Sequence, residues 1–218
     1  GSIGKGNIAR VPWVGIFLNS VTRNAENGYY IVLLFSEDMS RCYLSLNQGI
    51  TAVERLYTQN FARKKMSEAA AEAWKHLDYD PEAIRGRISL SATGDLGRGY
   101  EAAAIESFEY LSSDLPSEET YFRRLDHLVK NYRKLSELYG TDLYSLFTVS
   151  EEEFQQVALE KASGSYESPA IQLAPGGVEV SLATRLGTRG VVRSPIVAAE
   201  AIRAADFRCE IDPAHWTF

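Results

Sequence analysis

Cysteine is scarce in this chain. Cys42 and Cys209 are the only two in 218 residues, too few for the disulfide framework of a small secreted scaffold, and a reducing cytoplasm is the simplest compartment for such a sequence. Histidine is nearly as rare, at 3. His76 and His127 fall far apart on expected helices, and Cys209 with His215 supplies two ligands where a closed zinc site takes four. No apolar run approaches the roughly 20 residues of a membrane helix. The opening residues lack the basic-then-apolar pattern of a secretory leader. No Ser/His/Asp or Cys/His pattern points to a nucleophile, and Glu151–Glu153 reads as the acidic first turn of a solvated helix.

Positive charge is also in deficit: 23 Lys and Arg against 29 Asp and Glu give a net charge of −6. Spread evenly, that balance would argue against a nucleic-acid partner. It is not spread evenly. Residues 1–66 carry eight bases and four acids, whereas 67–139 carry nine and fourteen, and 140–218 carry six and eleven. A local basic surface steers a polyanion whatever the total charge.

The apolar pattern predicts an α+β fold: a small, mostly antiparallel sheet packed by helices, with a C-terminal linker and helix. Strands are expected at 12–18 (PWVGIFL), 28–36 (GYYIVLLFS) and 41–46 (RCYLSL), the last two joined as a hairpin through EDMS. A helix is expected from Thr51 to residue 77, helped by the alanine-rich KKMSEAAAEAWKHL. A further strand is read at 84–90 (IRGRISL), a glycine loop at TGDLGRG and a short helix at YEAAAIESFEYL. Ser117 then caps a long helix that Gly140 stops. Beyond it come a weaker helix over 141–162, a Gly/Ser/Pro/Thr-rich stretch over 163–195 with a strand at VEVSL, and a helix over 194–205 with Pro in its first turn. Three segments result: 1–139 as the main domain, 140–193 as extension and linker, and 194–218 as the start of another module.

Two glycine motifs suggest nucleotide binding only superficially. GKGN leads into a strand, whereas a P-loop ends in Gly-Lys-Ser/Thr and opens a helix. TGDLGRG lies in no strand–helix crossover with a downstream acid. The aromatics are more informative. Trp13, Tyr29, Tyr30 and Phe35 lie on neighbouring strands beside the basic N-terminal loop. Alternation puts Tyr30, Val32 and Leu34 on one face of the second strand and Tyr29, Ile31, Leu33 and Phe35 on the other. One face is expected to be core, with Phe17 and Phe35 in it. The other is expected to form a slot for a flat ligand, with Tyr30 partly solvated.

GKGNIARVPWVGIF followed by NGYYIVLLFSEDMSRCYLSLNQG resembles the N-terminal DNA-recognition domain of McrB-type, modification-dependent restriction systems. GRGYEAAAIESFEYL and LDHLVKNYRKLSEL resemble that family's later part, so the likeness covers about residues 1–139. Its pattern is Ser-x-Gly-x-Gly-Asn, then Pro-Trp, then Gly-x-Tyr with a Leu four residues after that Tyr. The resemblance implies a domain that binds double-stranded DNA and turns a modified base, 5-methylcytosine or 5-hydroxymethylcytosine above all, into an aromatic-lined pocket. The pocket residues carry over to Trp13, Tyr30 and Leu34. Lys5, Gly6, Asn7 and Arg10 are the expected contacts to the DNA backbone.

SPIVAAEAIRAADFRCEIDPAHWTF resembles the lead-in to an HNH endonuclease module. It implies a nuclease whose divalent metal and catalytic residues lie beyond Phe218, so these residues are expected to bind DNA and not to cut it, with no cofactor of their own. Three other readings stand beside this one: a reader of N6-methyladenine, a reader of a phosphorothioate backbone, and a protein-interaction or homodimerisation domain using the apolar stripe of the helix over 118–139.

Overall fold

The computed structural model describes residues 9–164, 182–185, 188–191 and 194–209. The chain forms two compact units, one of residues 1–54 with 62–147, the other of residues 55–61 with 148–218.

The first unit is built on a five-stranded sheet in the order β1-β2-β3-β5-β4, antiparallel throughout. Its strands are β1 (Trp13–Ile16), β2 (Tyr29–Phe35), β3 (Arg41–Gln48), β4 (Ile84–Arg85) and β5 (Ala104–Leu111). The β-branched and aromatic run of β2 and the alternation of β3 pair as expected through a short turn, in which Met39 takes a left-handed conformation (φ 57°). The helices are α1 (Thr51–Leu56), α2 (Gln59–Ala73), α3 (Asp95–Ala102) and α4 (Glu118–Tyr139). Ser117 caps α4 by accepting a hydrogen bond from the Thr120 amide at 3.2 Å, and Gly140 ends it with φ 74°.

Both faces of β2 are core, not one. Tyr29 and Ile31 are fully buried on the face that α4 covers, where Tyr29 meets Tyr132 edge to face at 5.4 Å. Tyr30, Val32 and Leu34 are buried on the opposite face, under Val11, Ile88 and Leu90, with Ala92 and Tyr100 packed against the same cluster. A strand with covered faces on both sides reads as a continuous apolar run, and YYIVLLF is one. Phe17 and Phe35, expected in the core, are only half-buried.

Other expectations are corrected by the fold. Residues 104–111 form the strand β5, not a helix. Alanine and glutamate favour helix locally, but this segment lies between β3 and β4 and satisfies its backbone in two ladders. The helix is α3, one element earlier, and it contains Gly97 and Gly99 of the expected loop. A Cβ on Gly97 would lie 2.6 Å from the Ala92 Cβ, so glycine there lets α3 press against the chain at residue 92. Of the strand expected over 84–90 only Ile84–Arg85 pairs; Gly86 (φ 87°) turns the chain out of the sheet. The helix expected over 51–77 is α1, α2 and a 3-10 turn at Trp74–His76, with a break at residues 57–58.

The second unit contains α5 (Glu151–Ser163), the hairpin β6 (Leu182–Arg185) and β7 (Thr188–Val191), and α6 (Pro195–Ala204). The expected strand VEVSL lies outside the described residues except for Leu182. Ser150 and Glu153 form a reciprocal capping box at the start of α5. Ala158 and Ala162 of α5 pack on Ala199 and Ile202 of α6. Arg203 closes the end of α5 by donating to the carbonyls of Lys161, Ala162 (2.8 Å) and Gly164 (3.1 Å).

Candidate nucleic-acid interface

β1 is the edge strand next to β2, and their register sets Trp13 opposite Leu34. Leu34 in turn pairs with Tyr43, and Tyr30 with Asn47. Trp13, Tyr30 and Leu34 therefore lie on one face of the sheet and belong to one apolar cluster. Phe17 joins them, its ring 5.2 Å from that of Tyr30. Trp13 is half-buried at the open edge. Tyr30 and Leu34 are each only 2% exposed, so the partly solvated tyrosine expected from the sequence is instead a core side chain. Its hydroxyl donates to the Ala25 carbonyl at 3.2 Å, and burial pushes its pKa up.

The cover over this face is the irregular segment 86–93. Glu101 of α3, itself buried, accepts hydrogen bonds from the Leu90 amide (2.9 Å), the Ala92 amide (3.4 Å) and Arg87 Nη2 (3.0 Å). Between those two amides Ser91 takes φ 53°, a left-handed conformation unusual for a serine. The β2–β3 turn holds the segment from the other side. The Glu37 amide donates to the Leu90 carbonyl at 2.8 Å, and the Glu37 carboxylate accepts from the Thr93 amide (2.8 Å) and hydroxyl (2.8 Å). Asp38 accepts from the hydroxyls of Ser36 (2.6 Å), Ser40 (2.8 Å) and Ser91 (3.2 Å) and from the Ser40 amide (3.0 Å). The Thr93 amide chiefly holds the Glu37 carboxyl below its ordinary range, and the Ser36 hydroxyl chiefly does so for Asp38.

Arg10 reaches the same corner. Its Nη1 donates to the Thr93 hydroxyl at 2.8 Å and lies 3.8 Å from Glu37, while its side chain stays 68% exposed. Lys5, Gly6 and Asn7 lie outside the described residues. Three more guanidinium groups, not singled out from the sequence, border the segment. Arg98 donates to the Thr93 carbonyl (2.8 Å), Arg63 to the Asp95 carboxylate (3.0 Å), and Arg87 to Glu101 (3.0 Å). Arg87 and Arg98 sit in a stretch whose charge totals to an excess of acid, and that total conceals where the fold gathers the bases. Each is paired with an acid, yet Arg10, Arg87 and Arg98 keep exposed side chains. Surface pairs of this kind are weak and exchange readily for a phosphate.

Among the described residues no three His, Cys, Asp or Glu side chains cluster in a way that would hold a metal ion, and no helix is long and apolar enough to cross a membrane. Cys209 is described, but His215 lies outside the described residues.

Neither the curated proteins nor the solved structures compared with this chain gave a match. A family model does match: that of the MrcB-like N-terminal domain, over residues 1–137. The match takes in the whole of the sheet, its aromatic face and the guanidinium-bordered segment, and the chain belongs to the MrcB-like N-terminal domain family, a membership that points to a DNA-binding domain of a restriction-system protein.

Proposed function

We propose that this chain is the specificity domain of a modification-dependent restriction protein, which binds double-stranded DNA and takes a modified base, 5-methylcytosine or 5-hydroxymethylcytosine, out of the helix. The observation that carries the reading is the exposed edge of an otherwise buried aromatic face. Trp13 stands half-open on an edge strand opposite the buried Leu34, and exposed arginines lie along the segment that covers the same face. In this reading Tyr30 and Leu34 form the rigid floor and Trp13 the stacking surface. Arg10, with Lys5, Gly6 and Asn7 earlier in the sequence, holds the DNA backbone.

The magnitudes are compatible. Extruding a base costs a few kcal/mol, and stacking on an aromatic side chain returns about 1–3 kcal/mol. A buried methyl contributes about 0.8 kcal/mol more, enough to tip a near-balance toward the modified base. Residues 194–218 are read as the lead-in to an HNH endonuclease, in which a divalent metal would support phosphodiester cleavage.

The test is a binding panel on one duplex carrying plain cytosine, 5-methylcytosine, 5-hydroxymethylcytosine, N6-methyladenine or a phosphorothioate, with Mg²⁺ present to record any cutting. Preference for a modified cytosine without cleavage is the expected result. Equal affinity for all five, or turnover by rigorously purified protein, overturns the reading.

A further inference from the structure

On the face of β1 that carries Trp13, the alternating residues are Trp13, Gly15 and Phe17. Gly15 has no side chain, and the space beside it is already filled. A Cβ placed there would lie 2.8 Å from Phe17 Cζ and 3.2 Å from Trp13 Cζ3. The two ring edges thus close over the bare backbone of Gly15. Beneath them Tyr30, Val32 and Leu34 are each only 2% exposed, whereas Trp13 and Phe17 are both half-buried.

Phe17 is less buried than the residues under it. It lies one position beyond Ile16, the last paired residue of the edge strand. Its ring meets Tyr30 at a tilt of 49°, between the offset-stacked and edge-to-face arrangements that aromatic pairs favour. A phenyl ring and a pyrimidine have nearly the same footprint. The place over Gly15, next to Trp13, is therefore one that a single planar six-membered ring already occupies.

Resting on the reading above, we infer that Phe17 is a placeholder: in the DNA-free protein its ring fills the position a one-ring base takes against Trp13, and the base displaces it. Gly15 creates that position, because any side chain there would stand in it. Phe17 is then a specificity residue. The base that enters must supply at least the packing that Phe17 gives up, and a two-ring purine overfills the place.

The test uses residues 1–218 with Phe17→Ala, Phe17→Leu and Gly15→Ala. The readout is the ratio of affinities for the modified-cytosine and plain duplexes, together with the fluorescence of a 2-aminopurine set beside the target base. Removing the competing ring is expected to raise the ratio about 2- to 10-fold in both Phe17 variants, the range an aromatic pair contributes, with a brighter 2-aminopurine signal. Gly15→Ala is expected to lower the ratio about tenfold, as overpacking does. Its methyl meets only the far ends of two side chains, so the fold should survive. If Phe17→Ala unfolds, Phe17→Leu decides, since it keeps apolar bulk and loses only the planar ring. A ratio that falls in folded Phe17 variants makes Phe17 a wall of the site and overturns the placeholder; an unchanged ratio overturns it as well. A wild-type chain with no preference for modified cytosine overturns the base-recognition reading and this inference together, an outcome distinct from a wild type that discriminates while its Phe17 variants do not differ.

Discussion

Glu106 and Asn131 meet in the interior, where the Asn131 side-chain amide donates to Glu106 Oε2 at 2.7 Å and both residues are fully buried. The pair joins the interior strand β5 to α4. His127 Nε2 lies 3.2 Å from the same oxygen, and Arg85 Nε lies 3.7 Å from Oε1. Asn131 also receives the Asp78 amide at 2.9 Å, tying in the chain after the 3-10 turn. A buried carboxylate is tolerated only while such partners remain.

Asn131→Ala should therefore cost about 3 kcal/mol or more in urea unfolding, because it strips a buried charge of its closest donor. Lys134→Ala, which removes an exposed partner of Asp78, should cost less than about 1 kcal/mol. A reversed order would show that the interior carboxylate is not what anchors α4.

Tyr30 calls for two substitutions, not one. With 2% exposure, Tyr30→Ala should lose about 3–5 kcal/mol of stability through the cavity it leaves, and its DNA affinity would then report folding. Tyr30→Phe removes only the hydrogen bond to Ala25 and should cost about 0.5–1.5 kcal/mol. The preference for modified DNA should persist in Tyr30→Phe. Its disappearance in a folded variant would mean that the hydroxyl reads the base.

Acid should loosen the cover before it unfolds the sheet. Glu37 and Asp38 have folded pKa values below their ordinary ones. Their contribution is thus present above the unfolded values of about 4 and is lost as pH falls through the depressed folded values. Glu37→Gln should melt below wild type near neutral pH, and the gap should close as pH drops below 4. A gap independent of pH would mean that the charge on Glu37 does not hold Thr93.

Salt should weaken DNA binding despite the net charge of −6. Arg10→Ala, Arg87→Ala and Arg98→Ala should each lower affinity for plain and modified duplexes alike. Each should flatten the logarithmic salt dependence by about 0.9 per phosphate contact removed. Loss of modified-base preference alone in any of them would reassign that arginine to base reading.

Trp13→Ala should reduce affinity for the modified duplex by about 1–3 kcal/mol, the value of stacking one base. Binding to plain DNA, carried by phosphate contacts, should remain. Equal losses on both duplexes would place Trp13 in the fold and not in recognition.

The sequence alone determined the elements whose signals are local. The β2–β3 hairpin follows from a continuous β-branched and aromatic run and an alternating one joined by a short turn, and α4 from its Ser117 cap, apolar stripe and Gly140 stop. That Tyr30 and Leu34 share a face was legible from strand alternation, since they are four residues apart on one strand; Trp13 was grouped with them only through the family resemblance, because its place opposite Leu34 depends on the β1–β2 register. Tertiary structure decided what depends on partners remote in sequence. AIESFEYL has helix-forming alanine and glutamate, yet it is a strand because β3 and β4 bond both its edges and α4 supplies the donor for Glu106. The burial of Tyr30, the cover pinned by Glu101 and Glu37, and the closing of two rings over Gly15 arise from segments far apart along the chain. No local periodicity encodes them, because burial is set by what the rest of the chain lays across a face and not by the face itself.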